Sequence, residues 1–335
     1  MMGAMQSGYE DQVMAAFAEA LAMAEAFVGS TAPNPAVGCV LLDAGGAVLA
    51  CAAHQRAGEP HAEALAIAHC DQAGTTQRIH TVIVTLEPCN HSGRTPPCAE
   101  TILRTPARRV WIGAPDPNPN VQGGGAARLA AAGLAVGYIA DLPGARAARL
   151  DQQARRLIAP FAKRMRTGLP WVTVKQALTR TGSMIPPKGT KTFTSPNSIL
   201  LAHQLRKRAD AVLTGSGTVL ADAPEFTVRR VADFTGKRRF LSILDRRGRV
   251  PAAYLDAARS RGFEVFNEAD IATALHRLGQ LGALEVLVEA GPALLQAMRD
   301  GEFWDEWITI EQGAIETAAG EDRVTVTLRQ DRKGK

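Results

Sequence analysis

The sequence predicts two α/β domains in one chain. Strand-like and helix-like patterns alternate through both halves, the signature of a sheet covered by helices. The 335 residues are about twice the usual domain length. The alternation breaks between 143 and 170, where Arg155, Arg156, Lys163, Arg164 and Arg166 make the chain strongly basic. The boundary is therefore expected near 148, giving domains 1–147 and 148–335.

In chain order, 11–28 is Ala-rich but interrupted by Asp11, Glu19 and Glu25, which predicts an amphipathic helix. Apolar runs at 37–42 and 48–53 flank Asp43-Ala44-Gly45-Gly46 and predict a hairpin. A helix is expected from 60 to 70. The run Thr-Val-Ile-Val-Thr-Leu at 81–86 predicts a buried strand. A loop carrying Cys89 and Cys98 leads to a helix starting near Pro97. A strand at 109–114, a helix after Gly123-Gly124-Gly125 and a strand at 135–139 complete the half. The second half predicts strands at 171–177, 211–214, 239–245, 263–266 and 285–289. Its helices are expected at 195–207, 270–281 and 292–299. No internal repeat or low-complexity segment is visible.

Hydrophobic residues make up 46% and charged residues 21%, which excludes disordered, collagen-like and disulfide-scaffold classes. The net charge is +5 and the pI about 9.1, a balance that suits phosphorylated ligands. Aromatic residues are only 5%, too few for a protein that reads nucleic acid by base stacking. The longest uncharged stretch, 26–42, contains Pro33 and Pro35, and a membrane helix needs about 20 apolar residues. With no secretory signal and five cysteines, the chain is expected in the reducing cytoplasm, without membrane or nucleic-acid partners. Cys39, Cys51 and Cys70 lie in apolar runs and read as small buried hydrophobes.

Cys89 and Cys98 differ, because prolines and polar residues surround them. His61-Ala62-Glu63 stands at the start of a helix. One imidazole and two thiolates leave a fourth tetrahedral position open, the pattern of a catalytic rather than a structural zinc. Glu63, two residues from His61, would then move protons, as the non-ligand glutamate does in zinc deaminases. The alternative is a closed Cys2His2 knot with His91 as fourth ligand, which leaves Glu63 without a role.

His-Ala-Glu followed by Pro-Cys-x8-Cys resembles the cytidine-deaminase superfamily. The loop LEPCNHSGRTPPC at 86–98 is more specific, together with APNPAVGCV at 32–40, HQRAGEPHAE at 54–63 and DPNP at 116–119. These resemble the bifunctional deaminase/reductase family of riboflavin biosynthesis. The resemblance implies an N-terminal cytidine-deaminase-like α/β/α sandwich and one zinc per chain, on His61, Cys89 and Cys98. It implies hydrolytic deamination at C2 of a diaminopyrimidinone carrying a ribosylamino 5′-phosphate. Asn34, His54, Arg94, Asp116 and Asn118 match positions lining the substrate pocket, and Arg94 suits a phosphate.

In the second half no G-x-G-x-x-G follows a strand, so the standard Rossmann fingerprint is absent. A strand running into Gly215-Ser216-Gly217 could still cradle phosphate on backbone N–H groups. Gly291-Pro292 precedes a helix in the same way. These segments resemble the family's dihydrofolate-reductase-like α/β domain. The resemblance implies NADPH-dependent reduction of the ribosyl to the ribityl group. Lys175, Asp222 and Glu289 match active-site positions, and Ser195 and Arg206 match substrate positions. Thr194, Thr218, Gly215, Gly217 and Gly291 match cofactor positions. Thr181 and Ala223 stand where the family usually carries acidic residues, and 308–312 lacks its Pro-Lys-Leu-Leu-Gly character. A deaminase with a scaffold C-terminal domain is therefore the alternative. The sequence leaves a homo-oligomer open.

Overall fold

The computed structural model describes residues 2–90, 96–118, 124–187, 189, 192–313 and 321–329, with side chains from residue 8. The chain divides into two units, Met1–Thr167 and Gly168–Lys335.

The first unit runs α1 (Met2–Glu25), β1 (Gly38–Leu42), β2 (Val48–Ala53), α2 (Ala62–Gln72), β3 (Thr81–Leu86), α3 (Cys98–Leu103), β4 (Arg109–Ala114), α4 (Gly124–Ala131), β5 (Ala135–Tyr138) and α5 (Ala145–Thr167). Its sheet order is β2-β1-β3-β4-β5. β1 is antiparallel to both neighbours, whereas β3, β4 and β5 are parallel. Alternate side chains of a strand face opposite sides. Cys39 and Leu41 of β1 join Ala62, Ala66, Cys70, Ala99 and Ile102 of α2 and α3 in one core. Val40 and Leu42 join Val13, Phe17 and Ala20 of α1 and Ala147, Leu150 and Ala154 of α5 in the other. Both faces are covered, which makes the expected α/β/α sandwich. A Cβ at Gly38 would overlap the Ala20 carbonyl oxygen, so glycine lets α1 lie directly on β1.

The helix α5 corrects the expected boundary. A division at 147/148 falls inside it. Its inward stripe of Ala147, Leu150, Ala154 and Ile158 is buried in the first unit, and the division follows Thr167. Seven basic residues mask this stripe in the sequence.

The second unit runs β6 (Trp171–Leu178), α6 (Pro196–Arg208), β7 (Ala211–Gly215), α7 (Ser216–Asp222), β8 (Arg239–Leu244), α8 (Ala252–Ser260), β9 (Phe263–Glu268), α9 (Ile271–Gln280), β10 (Glu285–Val288), α10 (Pro292–Asp300), β11 (Glu306–Glu311) and β12 (Arg323–Leu328). Its sheet order is β12-β11-β6-β10-β7-β8-β9, parallel except for β12. From β6 the chain passes to β7, β8 and β9, then returns to place β10 between β6 and β7. The connections leaving β7 and β10 therefore diverge. A crevice at the carboxyl ends of such strands is where open α/β sheets bind ligands. Among the described residues, no helix is long and apolar enough to cross a membrane.

Candidate active sites

In the first unit, two helix starts and one strand end meet. His61 is the extended N-cap of α2, Cys98 opens α3, and Cys89 follows β3 after Glu87-Pro88. The His61 Nδ1 lies 3.3 Å from Cys98 Sγ and 3.7 Å from Cys89 Sγ. All three ligand-type atoms lie within 4.8 Å of one another. Ligands around a tetrahedral zinc stand about 3.5–3.8 Å apart, so this donor set fits the ion in spacing and in chemistry. The backbone N–H of Cys98, at the positive end of α3, donates to Cys89 Sγ at 3.3 Å.

The electrostatics agree. A hydrogen bond from Cys98, followed by those from His61 and the Cys98 backbone, pulls Cys89 down to about 4. Cys98 is pushed up, first as the donor in that bond and then by burial. Metal ligation requires both thiols as thiolates, so binding a cation would release their protons. His61 is raised chiefly by its bond to Cys89. Glu63, in the first turn of α2, is 3% exposed and lies against Cys98. Burial raises its carboxyl, so it holds a proton more readily than an ordinary glutamate.

His54 and Asn34 stand beside this cluster. The rings of His54 and His61 meet edge to face, 5.3 Å between centroids. His54 Nδ1 faces the Pro60 carbonyl at 3.1 Å, which can only accept, so Nδ1 carries the proton. Its Nε2 then accepts from Asn34 Nδ2 at 3.3 Å. Burial lowers the His54 pKa and keeps the ring neutral. Asp116 and Asn118 form a turn in which Asp116 Oδ1 accepts the Asn118 N–H at 2.9 Å. Arg94 and His91 lie outside the described residues.

The second unit carries a cluster of a different kind. Glu289 follows β10, with Lys175 on the neighbouring β6. Lys175 Nζ donates to Glu289 Oε2 at 3.1 Å. The Arg206 fork, from the last turn of α6, donates to Oε1 at 2.5 Å and Oε2 at 2.9 Å. Burial alone would raise the Glu289 pKa, but Lys175 and Arg206 hold it at about 2. Arg206 also donates to the Thr227 carbonyl at 3.4 Å and lies 6.0 Å from the Phe226 ring.

The cofactor-type positions separate. Thr218 on α7 accepts the Gly291 N–H at 2.9 Å, tying α7 to the start of α10 across the β7/β10 crevice. Gly215 is the N-cap of α7, and a Cβ at Gly217 would meet nothing within 4 Å. The Gly-rich segment is thus no free turn, because the strand passes directly into a helix. Ser195 caps α6 through the Ser198 N–H and donates its own N–H to Asp322 at 2.7 Å. The Thr194 hydroxyl meets the neighbouring Thr192 hydroxyl at 3.2 Å. Asp222 ends α7, exposed.

Two residues gained no role from the sequence. Glu87 is buried and accepts two backbone N–H groups; its signals were a place directly after an apolar strand and inside the 86–98 motif. Asp322 reaches Ser195 and Gly313, and nothing in its neighbourhood announced that.

Residues 10–114 match the family model for the cytidine and deoxycytidylate deaminase zinc-binding region. Residues 170–310 match the RibD C-terminal domain. The riboflavin biosynthesis protein RibD of Aquifex aeolicus is 34% identical over 312 residues, covering 85% of this chain and 83% of that protein. The structure of Acinetobacter baumannii RibD matches with a TM-score of 0.77 at 28% identity, covering 97% of this chain and 93% of that one. A Thermotoga maritima diaminohydroxyphosphoribosylaminopyrimidine deaminase/5-amino-6-(5-phosphoribosylamino)uracil reductase matches with the same TM-score and identity, over 94% and 90%. With a relative this similar over most of both lengths, and both halves matched by their own models, the chain belongs to the RibD family of riboflavin biosynthesis proteins.

Proposed function

We propose that the two clusters are the working centres of a bifunctional enzyme acting on one phosphorylated pyrimidine. Deaminase and reductase activities in riboflavin biosynthesis follow from family membership. The assignment of steps to residues is our reading, and the convergence of His61, Cys89 and Cys98 beside buried Glu63 carries it.

In the first unit His61, Cys89 and Cys98 hold zinc. Zinc supplies Lewis acidity that makes water nucleophilic near neutral pH. Glu63 accepts the proton of the water that attacks C2 and delivers it to the departing amine. The C2–N bond breaks, and ammonia and the aminouracil result. Neutral His54 and Asn34 orient the ring, Asp116 and Asn118 close the pocket, and Arg94 takes the 5′-phosphate.

In the second unit the crevice would hold NADPH, which when bound would supply the hydride for C1′ of the opened sugar, the attached nitrogen gaining a proton from solvent. Lys175 binds the sugar oxygen, with its ammonium aimed by Glu289. Asp222 and Glu289 orient ribose hydroxyls. Ser195 and Arg206 contact substrate, the latter by exchanging part of its Glu289 contact. Gly215, Gly217, Thr218 and Gly291 line the cofactor crevice, and Thr194, just before α6, is a further cofactor contact. Two cations around one carboxylate leave an excess positive charge for a phosphorylated substrate. A scaffold reading of this unit is not favoured, because residues 170–310 match the RibD C-terminal domain. We read the enzyme as cytoplasmic, with no membrane or nucleic-acid partner and with a homo-oligomer open.

The test is to supply the phosphorylated diaminopyrimidine with and without NADPH and identify products by mass. Loss of the amine without NADPH, then gain of two hydrogens with it, is expected. An unchanged substrate in both arms would defeat the reading.

A further inference from the structure

Glu87 lies between the metal loop and the turn at 116–118. Its backbone continues β3 into Pro88-Cys89, with its own N–H donating to the Ala114 carbonyl at 2.9 Å. Its side chain is 3% exposed. Oε2 accepts the Asp116 N–H at 3.2 Å, and Oε1 accepts the Ala126 N–H at 3.0 Å.

Neither donor has an easy substitute. The turn reads Pro115-Asp116-Pro117-Asn118, and proline has no N–H. Only Asp116 and Asn118 can donate. Asn118 is used inside the turn by Asp116 Oδ1, so Asp116 is the donor that ties the turn to its surroundings. Ala126 belongs to the first turn of α4, whose N–H groups find no acceptor within their own helix. A carboxylate meets both needs at once, and the positive end of α4 favours its charge. A Cβ at Gly125 would overlap the Pro88 carbonyl oxygen, so glycine there lets α4 come close enough.

We propose that Glu87 is a positioning residue for deamination: its carboxylate sets the distance between the metal loop at Cys89 and the substrate turn at Asp116–Asn118. This rests on the deaminase reading above. Glu87 touches neither metal nor substrate. It acts through two backbone amides, holding the turn in place for the substrate while the zinc ligands stay where β3 and α3 put them.

Glu87→Gln is the test. The amide keeps the shape but turns a donor toward one of the two N–H groups. Losing one hydrogen bond to a charged group is worth roughly tenfold or more. The deaminase KM is expected to rise about tenfold or more with kcat within roughly threefold, because binding geometry and not chemistry is lost. Zinc should remain at one per chain. Hydrogen exchange should quicken in peptides covering 116–118 and 124–128 and stay unchanged around Cys98. Gly125→Ala pushes α4 away with Glu87 intact and should give the same KM rise, which keeps the test open if the first variant does not fold. A fall in kcat at unchanged KM, a loss of zinc, or unchanged exchange at both peptides would overturn the proposal. Wild-type protein that releases no ammonia would instead defeat the deaminase reading, and the exchange result would still report on Glu87.

Discussion

In the first unit, three ligand atoms come from stretches at most 37 positions apart and converge on a point. In the second, Lys175 and Glu289 meet across 114 positions, with Arg206 83 positions from Glu289. The first cluster is built of soft donors in contact with one another, His61 with both Cys89 and Cys98. The second is built of full charges already paired with one another, two cations on one carboxylate. A site made of ligands is completed by the ion it holds. A site made of ion pairs is completed by its own fold and keeps its geometry without a guest. The two units should therefore fail differently when cut, mutated or acidified.

The largest expected effect comes from where the first unit is severed. A chain ending at residue 147 loses most of the apolar stripe of α5 and should aggregate. One ending at Thr167 should fold and bind one zinc. Circular dichroism and metal content of both fragments check this, and a well-folded 1–147 fragment would show that α5 is dispensable.

Next, Glu63→Gln should keep zinc and lower ammonia release by about 10²–10⁴-fold, the usual worth of a positioned proton carrier. Metal analysis beside an ammonia assay separates this from ligand loss. Near-wild-type turnover would remove Glu63 from the chemistry.

Glu289→Gln should destabilise the second unit by about 3–5 kcal/mol, because Lys175 and Arg206 are left buried without their anion. Denaturant unfolding of the variant measures it, and a change below about 1 kcal/mol would mean that solvent screens the pair.

The same residue gives a pH signature. Its pKa is about 2 in the fold, against about 4.3 in an unfolded chain. The stabilisation is thus fully present above about pH 4.3 and is lost as pH falls toward 2, roughly 3 kcal/mol in all. Acid titration of wild type against Glu289→Gln should show this limb only in the wild type.

The smallest effect concerns Thr181, whose hydroxyl bonds Thr179 at 3.0 Å. If a carboxylate there contacts substrate or cofactor, Thr181→Asp should raise reductase kcat/KM several-fold, within the roughly tenfold that one charged hydrogen bond brings. NADPH consumption with the deaminated intermediate measures it.

These contrasts also explain what the sequence could tell. The 81–86 strand was legible because all six of its residues are buried and apolar contrast marks its ends. The metal site was legible because its residues lie in short motifs. Lys175, Arg206 and Glu289 could be named only from a family pattern, since nothing local says that they meet. β11 begins and ends in glutamate, and Glu306 is buried because Thr173, 133 positions away, donates to it at 3.1 Å. The α7 helix was hidden by Gly215 and Gly217, which read as a turn. All six residues of β12 are exposed, so burial left no contrast there to read. Glu87 was in view within its motif, but its role depends on two amides contributed by other segments.

The basic residues that obscured α5 also change what the isoelectric point means. This helix holds seven basic residues and one acidic, a net +6, while the whole chain carries +5. The rest of the protein is thus close to electroneutral, and the pI of about 9.1 is the property of a single rod. On a cation exchanger the molecule should adsorb in one orientation, by that rod, and elute over a narrow span of salt. Neutralising a few α5 arginines would weaken that adsorption far more than the same changes scattered elsewhere, although both would lower the isoelectric point equally.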